Sequence, residues 1–155
     1  MLDLAAPVLR HFCTLEVEVG PMRPVGPGRF GQRRIVPITG GRVSGPNISG
    51  RIMPGGGDWQ TISAEGLTEF RAQYVLELDG GALVEVIDSG FRHGPPEVMK
   101  RLAGGEAVSP REYYMRSTTK LESGHPEYAW VNRMLFVSTG ARNGPTVQIN
   151  VHAVE

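Results

Sequence analysis

Between Leu9 and Val19 apolar and polar side chains alternate. Leu9, His11, Cys13, Leu15, Val17 and Val19 fall on one face, and Arg10, Thr14, Glu16 and Glu18 on the other. A period of two is that of a half-buried strand, whose successive side chains point to opposite faces of a sheet. Glu69 to Leu78 repeats the pattern, with Phe70, Ala72, Tyr74, Leu76 and Leu78 on one face. Asp79-Gly80-Gly81 follows, a turn that tolerates the positive φ of a hairpin, so the run from Ala82 to Phe91 is expected to return antiparallel. Val147, Ile149, Val151 and Ala153 close the chain as another such strand.

Two segments differ. Pro95-Pro96 opens a stretch with Glu97 in its first turn, an apolar stripe of Val98, Met99 and Leu102, late Lys100 and Arg101, and Gly104-Gly105 beyond. These are the start and stop signals of one short helix over about 95–103. Tyr128 to Thr139 reads as a strand apolar on both faces: Trp130, Met134 and Phe136 on one, Ala129, Val131, Leu135 and Val137 on the other. Such a strand needs cover on both sides, from another element or from a second subunit, and this predicts a homo-oligomer.

The expected strands are 7–19, 33–38, 41–44, 47–53, 59–63, 69–78, 82–92, 111–121, 128–140 and 146–154, with the second and third either two strands or one bent strand. Links are short except around the helix, which disfavours parallel crossovers. The fold class is therefore all-β with one short helix: a single domain over 1–155, a closed antiparallel barrel of about 8–10 strands, since closure removes exposed edges. A sandwich is the competing architecture.

Composition narrows the partners. The 155 residues carry 16 basic and 16 acidic side chains, well mixed, which gives no electrostatic footprint for nucleic acid or an anionic membrane. The densest basic stretch, Gln32-Arg33-Arg34, reads as a solvated turn or edge. Cys13 stands alone in an apolar run, so it reads as a small buried hydrophobe. The N-terminus has no basic segment of a secretory signal and no run reaches the ~20 apolar residues of a spanning helix, so the expected compartment is the cytoplasm.

Several motifs fail on context. Gly26-Pro27-Gly28-Arg29-Phe30-Gly31 matches a dinucleotide fingerprint, but the chain after it reads extended rather than helical. No serine sits in a nucleophile elbow. His11, His93, His125 and His152 are scattered singly, without metal-ligand spacing. The reading therefore includes neither a metal nor a cofactor.

What remains is a set of polar and aromatic residues where a plain core would use aliphatics. Asp58 and Trp59 follow the bend Met53-Pro54-Gly55-Gly56-Gly57. Tyr114, Arg116 and Glu122 share one parity, as do Tyr128, Trp130 and Asn132, and Arg92 ends a strand. With Tyr74, these faces turned inward would build an aromatic pocket with a few fixed donors and acceptors, the usual make-up of a small-molecule site. Arg116, with Arg92, is the expected anchor for a carboxylate, phenolate or enolate. Asp58 is the first candidate general base, held by a rigid bend beside a tryptophan, and Glu122 the second. The plain alternative is that Arg116–Glu122 and Arg92–Asp58 are structural ion pairs and the aromatics core filler.

Met53-Pro54-Gly55-Gly56-Gly57-Asp58-Trp59, Gly90-Phe91-Arg92-His93-Gly94-Pro95, Tyr113-Tyr114-Met115-Arg116 and Tyr128-Ala129-Trp130-Val131-Asn132 occur in this order. Together they resemble the signatures of a bacterial and fungal family, the domain of unknown function 3237 or uncharacterised protein family 0311. The resemblance spans nearly the whole chain and implies one antiparallel β-barrel per chain, with no settled activity. Thr119-Lys120-Leu121-Glu122 departs from it, where the family more often has a proline and a phenylalanine before the glutamate.

Three functions follow from these readings. The first is a cofactor-free lyase, isomerase, cyclase or hydrolase using acid–base chemistry on a small aromatic or carbonyl-bearing metabolite. The second is a carrier that binds such a molecule unchanged, and the third is a structural or oligomerising module. An enzyme needs a titratable group beside the ligand, a carrier needs walls and anchors, and a structural barrel would be filled with apolar side chains.

Overall fold

The computed structural model describes residues 1–155. Ten strands run in chain order: β1 (Leu9–Val19), β2 (Arg23–Gly28), β3 (Gly31–Gly45), β4 (Ile48–Ile52), β5 (Gly56–Ile62), β6 (Thr68–Leu78), β7 (Leu83–His93), β8 (Tyr114–Glu122), β9 (Leu135–Asn143) and β10 (Thr146–Val154). Helix α1 (Pro96–Ala103) joins β7 to β8, and a 3₁₀ helix (Pro126–Arg133) joins β8 to β9. Every pairing is antiparallel, and β1 bonds to both β10 and β3, which closes the sheet into an eight-stave barrel. Ten strands make eight staves because β4 and β5 lie end to end between β3 and β6, broken at Met53-Pro54-Gly55, and β2 continues the β1 side of β3.

The alternation on β6 and β7 is followed residue for residue. Thr68, Phe70, Ala72, Tyr74, Leu76 and Leu78 are buried on β6, as are Val84, Val86 and Asp88 on β7. On β1 the register shifts between His11 and Cys13. That bulge buries Phe12 beside Cys13 and leaves Leu9 and His11 outside, so the face read from the sequence is correct only beyond Cys13.

Residues 126–133 are the second departure. They form a 3₁₀ helix rather than the start of a strand; Pro126 occupies its first turn and the His125 side chain accepts from the Glu127 N–H. The helix closes the barrel end where β8 finishes. Val131 is buried, and Trp130 packs edge-on against Phe12 at 5.2 Å and beside Phe136 at 5.9 Å. Asn132 fastens it by accepting from the Ser123 N–H (2.8 Å) and donating to the Ser123 carbonyl (2.9 Å). Val131 is thus covered within the chain and Trp130 and Met134 partly so, by a helix that has no two-residue period, while Ala129 is exposed. The two-faced strand behind the expected homo-oligomer is therefore a helix over 126–133, and Leu135 beyond it stays exposed.

The core divides accordingly. Twenty-one buried residues fill the barrel from the 3₁₀ end to its middle, among them Leu15, Ile52, Leu76, Val84 and Val151. At the other end α1 lies across the mouth and packs Val98 and Leu102 with Val108 and Tyr113. Between the filled half and this helix the barrel is hollow.

Candidate functional site

The hollow half encloses a cavity of about 360 Å³, which falls at the small end of the usual range for ligand pockets. Its polar residues come from the inward parity of successive strands. Asp58, Ala72, Asp88 and Thr119 are register partners across β5 to β8 and form one row around the wall. One step toward the mouth lie Arg34, Gln60 and Phe70. A further step brings Arg92, paired with Thr68 and Met115. Tyr74 lies one step deeper than Asp58, on the floor, level with Val86 and Leu121. Met99, Leu102 and Tyr113 form the lid side, and Arg142 stands at the rim.

A chain of hydrogen bonds sets the orientation of Asp58. Arg34 Nε donates to Gln60 Oε1 (2.7 Å), and Gln60 Nε2 donates to Asp58 Oδ2 (2.5 Å). The guanidinium has no acceptor, so it fixes which end of the Gln60 amide faces Asp58. Asp58 Oδ1 is then left without a partner, as are the Tyr74 hydroxyl and Arg92 Nε, all three buried against the cavity. Buried polar atoms without partners are rare in folded proteins and each costs free energy. Here the residues that carry an acceptor, a donor and a hydroxyl that serves as either all line one cavity.

Burial governs the electrostatics. It raises the Asp58 pKa above the usual carboxylate range, against the pull of the Gln60 hydrogen bond, the Arg92 and Arg34 guanidiniums and the Arg71 backbone N–H. Burial likewise lowers the Arg92 and Arg34 pKa values and pushes the Tyr74 hydroxyl well up, so Tyr74 stays neutral. Asp88 is pushed up to about 6 by burial, and by the Asp58 charge, with hydrogen bonds from Ser117 and Thr119 opposing. Cys13 is pushed up to about 12 by burial and is an inert thiol. No three His, Cys, Asp or Glu side chains gather as a metal site requires.

Asp88 carries a consequence for stability. A carboxyl whose folded pKa lies above its unfolded value favours the folded state in its acid form. That contribution is full below the unfolded value and is lost as pH rises through about 6. A shift of this size corresponds to about 3 kcal/mol. Denaturant titrations are expected to show stability falling from about pH 4 to pH 6, and a flatter profile in Asp88→Asn.

Of the residues singled out in the sequence, Asp58, Tyr74 and Arg92 meet at this cavity. The others do not. Trp59 follows Asp58 on a strand and so points the opposite way; it is 41% exposed on the outer wall. On β8 it is Met115, Thr119 and Leu121 that turn inward, which sends Tyr114, Arg116 and Glu122 outside. Arg116 lies over the Tyr114 ring at 5.3 Å and donates to the Met115 carbonyl; the other Tyr114 contact is His93, stacked at 4.9 Å. The expected anionic anchor is therefore external cladding, and neither an Arg116–Glu122 nor an Arg92–Asp58 pair is among the ion pairs. Tyr128, Trp130 and Asn132 belong to the 3₁₀ plug at the closed end. Sequence reasoning missed Gln60, Asp88 and Arg34, the last read as solvated. Asp88 was detectable, because it continues the parity of Val84 and Val86.

The family model described as "Protein of unknown function (DUF3237)" matches residues 7–154. The chain belongs to this family. A conserved protein of unknown function from Rhodopseudomonas palustris has the same fold at TM-score 0.93, with 38% identity over 98% of this chain and all of the other. A β-barrel like protein from Acinetobacter baumannii gives 0.87, with 34% identity and full coverage of both. An enzyme from Penicillium herquei gives 0.75 at 19% identity, covering 100% and 99%; that likeness is one of fold. The DUF3237 barrel is thus a shared scaffold, and what it does here has to be argued from its cavity.

Proposed function

We propose that this barrel is an enzyme that binds a small aromatic or carbonyl-bearing molecule and moves a proton on it with Asp58 as general base, without a cofactor. The observation that carries the reading is that three residues each holding a buried, unpartnered polar atom, Asp58 (Oδ1), Arg92 (Nε) and Tyr74 (hydroxyl), line one enclosed space. A carboxylate with one oxygen fixed and the other free is oriented for proton abstraction, and burial brings its pKa toward the range where a base works best. Arg92 and Tyr74 supply the donors that an enolate or phenolate oxygen requires as charge develops. Phe70, Met99, Met115 and Tyr113 provide apolar walls. The filled half of the core argues against a purely structural barrel, since it stops where the polar groups begin. That the Penicillium herquei protein of the same fold is an enzyme supports the reading.

The test is deuterium wash-in at the benzylic α-carbon of an enolisable aryl-fused ketone, β-tetralone, in deuterium oxide, followed by NMR. The intact protein is expected to exceed the buffer rate. Exchange at the buffer rate across a small panel of aryl ketones and phenols, with no thermal shift on adding them, would overturn the reading. Binding without exchange would favour the carrier. The arginines separate cleanly: Arg92→Ala is expected to weaken binding of the probe at least tenfold, whereas Arg116→Ala on the outer wall leaves it unchanged. Calorimetric titration of both variants measures this.

A further inference from the structure

We propose that Asp88 is the second working carboxyl of the cavity, an acid that returns a proton to the ligand while Asp58 removes one. This rests on the acid–base reading above and adds a residue to it. Asp88 is among the most buried side chains of the protein, 1% exposed, yet it lines the cavity rather than the filled core. It stands in the same row as Asp58, and the residue between them on β6 is Ala72, whose methyl leaves the space between the two carboxyls open. Asp88 Oδ1 accepts from Thr119 Oγ1 at 2.7 Å, and Thr119 Oγ1 lies 2.5 Å from Ser138 Oγ, which fixes the carboxyl to the wall.

The surroundings divide the two carboxyls by role. The charged and titratable groups around the cavity are Arg34 on β3, Asp58 on β5, Tyr74 on β6, Arg92 on β7, Tyr113 ahead of β8 and Arg142 on β9. Two guanidiniums, Arg92 and Arg34, act on Asp58 and favour its anion. Asp88 is held in its acid form by burial and then by the negative charge of Asp58, against the hydroxyl donors that favour its anion, so it is the member of the pair that keeps a proton longer, up to about pH 6. Environments that separate two neighbouring carboxyls in this way assign one as base and the other as acid.

The step balances without a co-reactant. Asp58 carboxylate takes a proton from an acidic C–H or O–H of the ligand, leaving the electron pair on the ligand as an enolate or phenolate. Asp88 carboxylic acid gives its proton to a different atom of that anion. The ligand leaves as an isomer, Asp58 now carries the proton, and its return to Asp88 restores the starting state.

The test is a carboxyl NMR titration of the full chain carrying labelled aspartate, with β-tetralone wash-in as the second readout. A resonance titrating near pH 6 is expected to vanish in Asp88→Asn and to move to lower pH in Asp58→Asn. It should move higher in Thr119→Val, which removes a donor to the anion and serves should Asp88→Asn not fold. A resonance unmoved by Asp58→Asn overturns the pairing. In the wash-in assay, Asp88→Asn is expected to lose at least tenfold per folded molecule and to lose the pH dependence near 6, with Asp88→Glu recovering part of both. An unchanged pH profile per folded molecule would make Asp88 structural and end the proposal. The titration judges the pair without any ligand, so its failure is seen separately from a wild-type protein that does not exchange β-tetralone, which would count against the acid–base reading and against Asp88 as its acid.

Discussion

Asp58→Asn is expected to cut deuterium exchange of β-tetralone by two to four orders of magnitude, about the contribution of a positioned general base, while the barrel stays folded. The amide is nearly isosteric with the carboxylate, and Gln60 can still donate to the remaining carbonyl oxygen, so the shape of the cavity persists. What goes is the lone pair of Oδ1 as a base. Folding is not expected to suffer, because burial disfavours the Asp58 charge to begin with. Circular dichroism and a denaturant curve check the fold, and NMR exchange checks the chemistry. Loss of exchange with the fold and probe binding retained is the expected pattern. Retained exchange would remove Asp58 as the base.

Leu76→Ala is expected to produce the largest loss of stability, about 2–5 kcal/mol, with little change in exchange per folded molecule. Leu76 is fully buried in the filled half, between register partners Ile52 on β4 and Val84 on β7. Its removal forfeits burial and leaves a void that a closed barrel relaxes poorly, because each stave is bonded on both sides. The polar row sits nearer the mouth, past Tyr74, and the truncation does not reach it. Urea unfolding should show a lower midpoint with an unchanged slope. A loss under 1 kcal/mol would mean that the filled half is not the source of the fold's stability.

The two predictions divide the molecule as the structure does. Rows below Tyr74 stabilise the fold, and rows from Asp58 to Arg92 place residues with unpartnered groups around a shared space. The polar rows persist because the apolar half supplies the stability they lack. Arg34, Gln60 and Asp58 illustrate the arrangement: three polar side chains in sequence, each constraining the next.

Period-two alternation determined most of the fold before any coordinates. It marked the strands other than β2 and, with the turn residues, their antiparallel order, while start and stop signals marked the short helix, because all of these are local properties of the chain. It also contained Tyr74 and Arg92, since both continue the buried parity of long uninterrupted strands. Parity alone would have separated Asp58 from Trp59 and turned Arg116 outward; grouping residues by chemistry instead placed neighbours on β5, which face opposite ways, in one pocket.

What the tertiary structure decided are the non-local facts. The bulge at His11 reverses the face of one strand end, and the proline-started 3₁₀ helix turns Tyr128, Trp130 and Asn132 into a plug. The register between strands brings Asp58, Ala72 and Asp88 into one row, though they are far apart in sequence. Arg34 reads as a surface charge in its own segment, and only the pairing of β3 with β5 sets it opposite Gln60, which bonds in turn to Asp58. Alternation states that a residue faces inward. Which residues it meets there is set by the pairing of strands, a property of the closed sheet that no local pattern encodes.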